Sequence, residues 1–168
     1  MRGPGVLSEY FQHDSPTLTE DGWFDTGDVA VIHPDGRMQI TDRAKDVIKS
    51  GGEWISTIDI ENAALSHPAV VQAAAIGMPH PKWDERPLLV VQLAPGQSAE
   101  PTEILDFVKK DLPKISWPDD VQIVEEIPIG ATGKVLKTRL REMFRDYTLP
   151  TASADGKEGI IGRLFGRK

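Results

Sequence analysis

Residues 36–56 read GRMQITDRAKDVIKSGGEWIS, and this stretch limits the fold more than any other. Its first part, residues 37–41, alternates apolar and polar side chains with the period of a strand. Asp42, Arg43, Lys45, Asp46 and Lys49 then follow in quick succession. Gly51-Gly52 comes next, where no side chain hinders a ligand, and Glu53 and Trp54 close the stretch. A plain strand pair does not need so much charge beside so much backbone freedom. The stretch is therefore read as a junction between two bodies, with a ligand-facing loop just beyond it.

The flanking sequence fits that division. Residues 1–20 hold a Gly-Pro-Gly turn, a short apolar segment and a polar loop, too little to build a core. Residues 29–41 read as a hairpin whose turn, His33-Pro34-Asp35-Gly36, places Gly at the positive-φ position. After the junction, residues 46–50 and 53–56 can pair as a short ribbon around Gly51-Gly52. Ser56 with Asp59 forms a helix-capping pattern. The helix it starts has Ile58, Ile60, Ala63, Ala64 and Leu65 as its core face, and His67-Pro68 ends it. Residues 70–78 and 86–93 are continuous apolar runs suited to buried strands, with Pro87 expected at the start of the second. Pro101-Thr102-Glu103 opens a second helix that runs to about Leu112. Residues 121–124 read as a short strand. Residues 136–147 read as a third helix with Leu136, Leu140, Met143 and Phe144 on one stripe. Trp54 and Trp83 are expected to pack rather than to touch a ligand. The fold class that results is α+β, a small mixed sheet with about three helices, preceded by a β-rich hairpin remnant.

Composition removes several function classes. The 168 residues carry a net charge of −7, which argues against nonspecific nucleic-acid binding. Without cysteine there is no disulfide, thiolate catalysis or Cys-ligated metal. The four histidines are scattered, and the three that precede proline read as turn chemistry, so no metal site is expected among them. No apolar run reaches the roughly 18 residues of a membrane span, and the N-terminus does not resemble a signal peptide. A cytoplasmic protein is the default expectation. Residues 148–168 turn linker-like and then basic-apolar, and are expected to be disordered. A weak contact of this tail with anionic lipid is the alternative.

Three segments, in order, carry a family resemblance. TDRAKDVIKSGGEWIS is similar to the hinge and following loop of the adenylate-forming acyl-CoA synthetases, a superfamily that includes luciferases and peptide-synthetase adenylation domains. GWFDTGD, residues 22–28, resembles the nucleotide-binding TGD segment of that family. PIGATGK, residues 128–134, resembles its late catalytic-lysine loop. SGGEWIS and HPKWDERPL, residues 80–88, look most like the fatty-acyl branch. One motif alone would be a weak signal; three in matching order and spacing make a strong one.

What the resemblance implies can be assigned residue by residue. Lys134 would contact both the carboxylate and the α-phosphate during acyl-adenylate formation. The physical need is plain, because a positioned cation offsets the repulsion between two anions brought together. Asp28 would accept the ribose hydroxyls of ATP or AMP, and Arg43 would contact ribose or phosphate. The bland alternatives are an Asx turn for Asp28 and an ion pair with Asp42 or Asp46 for Arg43. Lys45 aligns with the hinge, where many acyl-CoA synthetases have aspartate. Lys49, Gly51, Gly52 and Glu53 would form a loop facing CoA. Ile129 and Gly130 depart from the arginine and hydroxyl residue often found in the lysine loop, so the resemblance carries over Lys134 but not the extra phosphate contacts.

The implied domain plan is residues 1–42 as the end of a large N-terminal domain, 43–46 as hinge, 47–147 as a mobile lid domain and 148–168 as tail. The implied function is the C-terminal part of a fatty-acid–CoA ligase using ATP, CoA and Mg²⁺. The magnesium ligands, the phosphate loop and the acyl pocket are expected outside this chain. Its partners would be a fatty or other carboxylic acid, CoA and the large domain, with no nucleic acid. On this reading the isolated chain has little or no ligase activity. The alternatives are a non-catalytic CoA- or nucleotide-binding module, one half of a split enzyme, and an adenylation enzyme with another acyl acceptor or a luciferase-like oxidation.

Overall fold

In a computed structural model, residues 1–7, 9–10 and 17–152 are described. The disorder and lipid contact expected of the tail concern mainly residues 153–168, which lie outside the described residues. The chain divides into two compact units, Met1–Lys45 and Asp46–Lys168.

The first unit is built on an antiparallel hairpin, β1 (Asp28–Ile32) and β2 (Met38–Arg43). Gly36 takes φ 82° at its turn, the left-handed conformation that a side chain would oppose. Asp35 supports the same turn by accepting the Arg37 N–H at 3.1 Å. The register slips between Val29 and Ala30, which leaves Asp28 directly opposite Arg43. Val31, Ile32, Met38 and Ile40 are exposed.

The second unit holds a mixed sheet in the order β4-β3-β6-β5, with β7 also pairing to β6. Here β3 is Ile48–Ser50, β4 Glu53–Ile55, β5 Val70–His80, β6 Asp84–Leu93 and β7 Asp120–Val124. The β5–β6 hairpin is antiparallel along its length, whereas β7 runs parallel to β6. Alternation along β5 and β6 sorts their side chains onto two faces. Ala73, Ala75, Leu89 and Val91 join one core cluster with Ile48 and Ile55; Ala74, Ile76, Leu88 and Val90 join another. Helices α1 (Thr57–Leu65) and α2 (Pro101–Val108) supply Ile60, Ala63, Ala64, Ile104 and Val108 to the first cluster. Helix α3 (Lys137–Met143) supplies Leu140 to the second, beside Ile127 and Leu149. Both faces of the strands are therefore covered, which explains why their sequences are continuous apolar runs rather than alternating ones.

Several elements differ from the sequence reading, each for a local reason. Ser56 caps α1 as expected, accepting the Asp59 N–H at 3.3 Å. Thr57 takes a buried place on that helix, however, while Ile58 and Leu65 are exposed. Helix α2 stops at Val108, before Leu112; Pro113 disfavours helical backbone in the residue ahead of it, and a single 3-10 turn follows at Lys114–Ser116. Helix α3 ends at Met143, which is itself exposed; the residues that pack into the second cluster are Leu140 and, four residues on, Phe144, while Leu136 is half-buried just ahead of the helix. The packed body also continues beyond Tyr147, since Leu149 and Ala152 are buried. Among the described residues no helix is long and apolar enough to cross a membrane.

Candidate functional site

Three pieces of local structure carry the residues singled out by sequence: the open end of β1–β2, the β3–β4 turn, and the loop of residues 128–136.

At the open end of the first hairpin, Asp28 and Arg43 are cross-strand partners. Arg43 Nε and Asp28 Oδ1 form an ion pair at 3.0 Å. The expected alternative partners of Arg43, Asp42 and Asp46, are not the ones it takes in this pair. Asp42 Oδ1 accepts the backbone N–H of Arg43 instead. The preceding turn is built from its own side chains. Asp25 Oδ1 accepts the Gly27 N–H at 2.8 Å, and Thr26 Oγ1 accepts the Asp28 N–H at 3.3 Å. Gly27, at φ 65°, accepts the Ala44 N–H with its carbonyl, which closes the end of the hairpin. A carboxylate and a guanidinium are thus held side by side by the strand register. That pair suits a vicinal diol next to an oxyanion. Lys45 is exposed and is the last residue of its unit.

The β3–β4 turn places Gly51 at φ 58° and Gly52 at φ 92°, the two positive values that a two-residue hairpin turn needs. At Gly51 a second constraint applies. A Cβ there would come within 2.7 Å of the Trp83 ring, and the Gly51 N–H donates to the Trp83 carbonyl at 2.9 Å. The β5–β6 connection therefore pins this turn from beneath. Lys49 pairs with Trp54 across the two strands, and both are exposed, as is Glu53. Trp54, expected in the core, is 64% exposed. Since Ile48 and Ile55 form the inward pair, period two sends Lys49 and Trp54 outward.

Sequence reasoning missed Arg86, which fixes this region from inside. It is buried, and its Nε reaches Asp119 Oδ1 at 2.7 Å. Its remaining donors go to Ser50 Oγ (3.1 Å), the Ile115 carbonyl (2.8 Å) and the Trp117 carbonyl (2.9 Å). One guanidinium thus joins β3, β6 and residues 115–119. The available signal was an arginine set directly against an apolar run, because a buried charge demands partners. Beside it lies an open cavity of about 490 Å³ lined by His80, Trp83, Arg86, Lys114, Ile115, Asp119 and Thr151.

Lys134 stands on the third piece. Residues 128–136 fold back through an Ile129–Val135 bridge. The Gly130 N–H donates to the Lys134 carbonyl at 2.8 Å, and the Leu136 N–H donates to the Pro128 carbonyl at 2.8 Å. Gly133 has φ 77° and closes a tight turn onto Gly130. Lys134 is exposed on the return arm of this loop, three residues before α3 begins. The lysine has backbone support, and its ammonium group has no side-chain partner among the described residues. The loop rises from the second core cluster, where Ile127 and Leu140 lie, whereas the Gly51-Gly52 turn rises from strands of the first. The described residues include no group of three or more His, Asp or Glu side chains placed to hold a metal ion.

Comparisons with known proteins fit this geometry. Residues 59–134 match the family of AMP-binding enzyme C-terminal domains. The chain is 54% identical over 146 residues to 3-methylmercaptopropionyl-CoA ligase of Ruegeria pomeroyi, covering 87% of this chain and 27% of that protein. It is 47% identical over 153 residues to medium-chain-fatty-acid–CoA ligase of Ectopseudomonas oleovorans, covering 91% of this chain and 28% of that one. Among solved structures, o-succinylbenzoate CoA synthetase from Bacillus subtilis, in complex with its acyl-adenylate intermediate, aligns with a TM-score of 0.74 at 33% identity. That alignment covers 83% of this chain and 29% of the synthetase. The chain thus spans just over a quarter of the length of these curated relatives.

Proposed function

Because this chain belongs to the AMP-binding enzyme C-terminal domain family, we propose that it is the C-terminal part of an acyl-CoA synthetase acting on a fatty acid. In that reaction a carboxylate oxygen attacks the α-phosphorus of ATP and pyrophosphate leaves. The thiolate of CoA then attacks the acyl carbonyl and AMP leaves. One observation carries the proposal: an exposed lysine, Lys134, on a short loop whose backbone is tied at both ends.

Each group has a role in this scheme. Lys134 lies against both anions as they meet and offsets their repulsion, an effect that grows as water is excluded. Asp28 accepts the ribose hydroxyls, and Arg43, already oriented by Asp28, donates to the neighbouring phosphate oxygens. Lys45 is the hinge; the division of the chain after this residue supports that assignment. Gly51 and Gly52 leave a bare backbone along which the pantetheine arm of CoA passes, with Lys49 and Glu53 at its margins. Magnesium serves in the family as a charge-neutralising partner of the phosphates. No cluster of side chains among the described residues fits it.

The test is reconstitution. The chain is co-expressed with a matching large domain and assayed for acyl-AMP and acyl-CoA with ATP, CoA and decanoate. Lys134→Ala should lower adenylation by about 10²–10³-fold, the usual loss when one preorganised charge-stabilising group is removed. The chain by itself should turn over no substrate. Full adenylation by the variant, or robust turnover by the isolated chain, would refute the proposal.

A further inference from the structure

Lys137 and Arg141 lie four residues apart on α3, so they share a face of that helix. Both reach elements far away in sequence. Lys137 Nζ lies 2.8 Å from Glu61 Oε1 and donates to Thr57 Oγ1 at 2.6 Å. Both partners belong to the first two turns of α1. The pair is mostly buried, with side-chain exposures of 14% and 18%. The same Glu61 oxygen accepts the Ala75 N–H of β5 at 2.9 Å. Strand β5 is an edge of the sheet, so its outer N–H groups need partners from outside the ladder. Helix α1 packs on the first core cluster and α3 on the second. The Lys137–Glu61–Ala75 set is therefore a clasp around the sheet edge that joins the elements of both faces. One turn further on, Arg141 Nη2 meets Asp46 Oδ1 at 2.9 Å. Asp46 is the first residue of the second unit.

We infer that Lys137 and Arg141 are positioning residues for Lys134. Helix α3 follows Lys134 by three residues, and its two cations fix it to the residue after the hinge and to the start of α1. Helix α1 in turn begins two residues after β4, so the clasp also ties the lysine loop to the Gly51-Gly52 turn. When the unit reorients about Lys45, the two loops travel as one piece. Lys134 is then delivered at a set distance from the hinge instead of searching for its place. A Lys137 without its ammonium leaves a mostly buried carboxylate uncompensated at the edge of β5. The first turn of α3 would detach before the core does.

This inference rests on the proposed function only where it concerns delivery of Lys134, and the test separates the two. Amide hydrogen exchange is measured on the 168-residue chain and on Lys137→Met and Lys137→Arg. In Lys137→Met the Gly130 and Leu136 amides should exchange about 10-fold faster, as expected when local opening replaces global unfolding. The β5–β6 amides should hold their rates, and Lys137→Arg should restore protection of the loop. Unchanged loop amides in Lys137→Met would overturn the inference. So would a uniform acceleration across the sheet, which would make the clasp an ordinary stability element. In the reconstituted enzyme, Lys137→Met should lower kcat for adenylation with the KM for ATP unchanged. Equal kcat in variant and wild type would also overturn it. If wild type is inactive after reconstitution, the proposed function fails while the exchange result still decides whether the clasp holds the loop.

Discussion

The two units of this chain keep their apolar residues in opposite ways. From Val47 onward, Ile48, Ile55, Ile60, Ile76, Leu88, Leu89, Ile104, Ile127 and Leu140 are almost fully buried. In Met1–Lys45 no described hydrophobic residue is buried, and Ile32, Met38, Ile40 and Val31 face outward from the hairpin. The second unit makes its own core on both faces of a sheet. The first is held by its backbone ladder and turn, by the Asp28–Arg43 ion pair and by exposed or half-buried side-chain contacts such as Thr41 to the Val29 carbonyl. The difference teaches where each unit's constraint comes from. The second is specified by packing, and its exposed loops are anchored to that packing. The first has strand-like sequence and a defined register but little apolar burial to stabilise it, which is marginal for an isolated hairpin in water.

The largest expected effect tests the packed side of this contrast. Leu89 is fully buried in the first core cluster, on the central strand. Leu89→Ala should destabilise the second unit by about 2–5 kcal/mol, the range for truncating a buried leucine. Urea unfolding followed by far-ultraviolet circular dichroism measures it. Exchange rates of the β1–β2 amides should not change. A loss below about 1 kcal/mol, or a hairpin that loosens in step, would break the division drawn above.

Much of the packed unit was legible before any coordinates, because its signals are local. The Ser56 cap, the Gly51-Gly52 turn and the two apolar runs each act within a few residues, as the Asp35-Gly36 turn does in the hairpin unit. The position of Trp54 was legible too, since an inward Ile55 forces its neighbour outward, yet an aromatic at a strand end invited the opposite reading. What could not be read are the closures between distant residues. Arg86 finds Asp119, and Lys137 finds Glu61, through the sheet's topology rather than through any spacing in the chain. The same holds for the candidate site. Family motifs named Asp28 and Arg43 separately, but their ion pair depends on the bulge that sets them opposite each other.

A smaller effect sits at the far end of the packed unit. Tyr147 donates its hydroxyl to Asp120, and Gln122 Nε2 bonds both groups. Burial first, then the adjacent Asp120 carboxylate, pushes the Tyr147 phenol up to about 12. The folded state thus holds this proton more tightly than the unfolded chain, where a tyrosine titrates near pH 10. The stability that follows is complete below about pH 10 and is lost as pH rises toward 12. Urea midpoints at pH 9 and pH 11.5 should therefore fall further in wild type than in Tyr147→Phe. Parallel falls would show that the closure of the second face does not depend on this phenol.

The smallest effect is expected on the exposed hairpin, and it sharpens the comparison most. Ile32 is 75% exposed and lies directly across from Met38, itself 63% exposed. A side chain already in water gains little by being apolar, and one cross-strand pair contributes only about 0.2–1 kcal/mol. In the 168-residue chain, Ile32→Ser should change stability by no more than about 0.5 kcal/mol, as surface substitutions generally do. The same substitution in the chain reconstituted with a large domain should cost more, because the proposed function gives that hairpin a body to lie against. Equal, negligible costs in both settings would leave the exposed apolar face without a partner. A large cost in the isolated chain would show that this face is already covered in solution. The two units would then not differ in the way their apolar residues are kept.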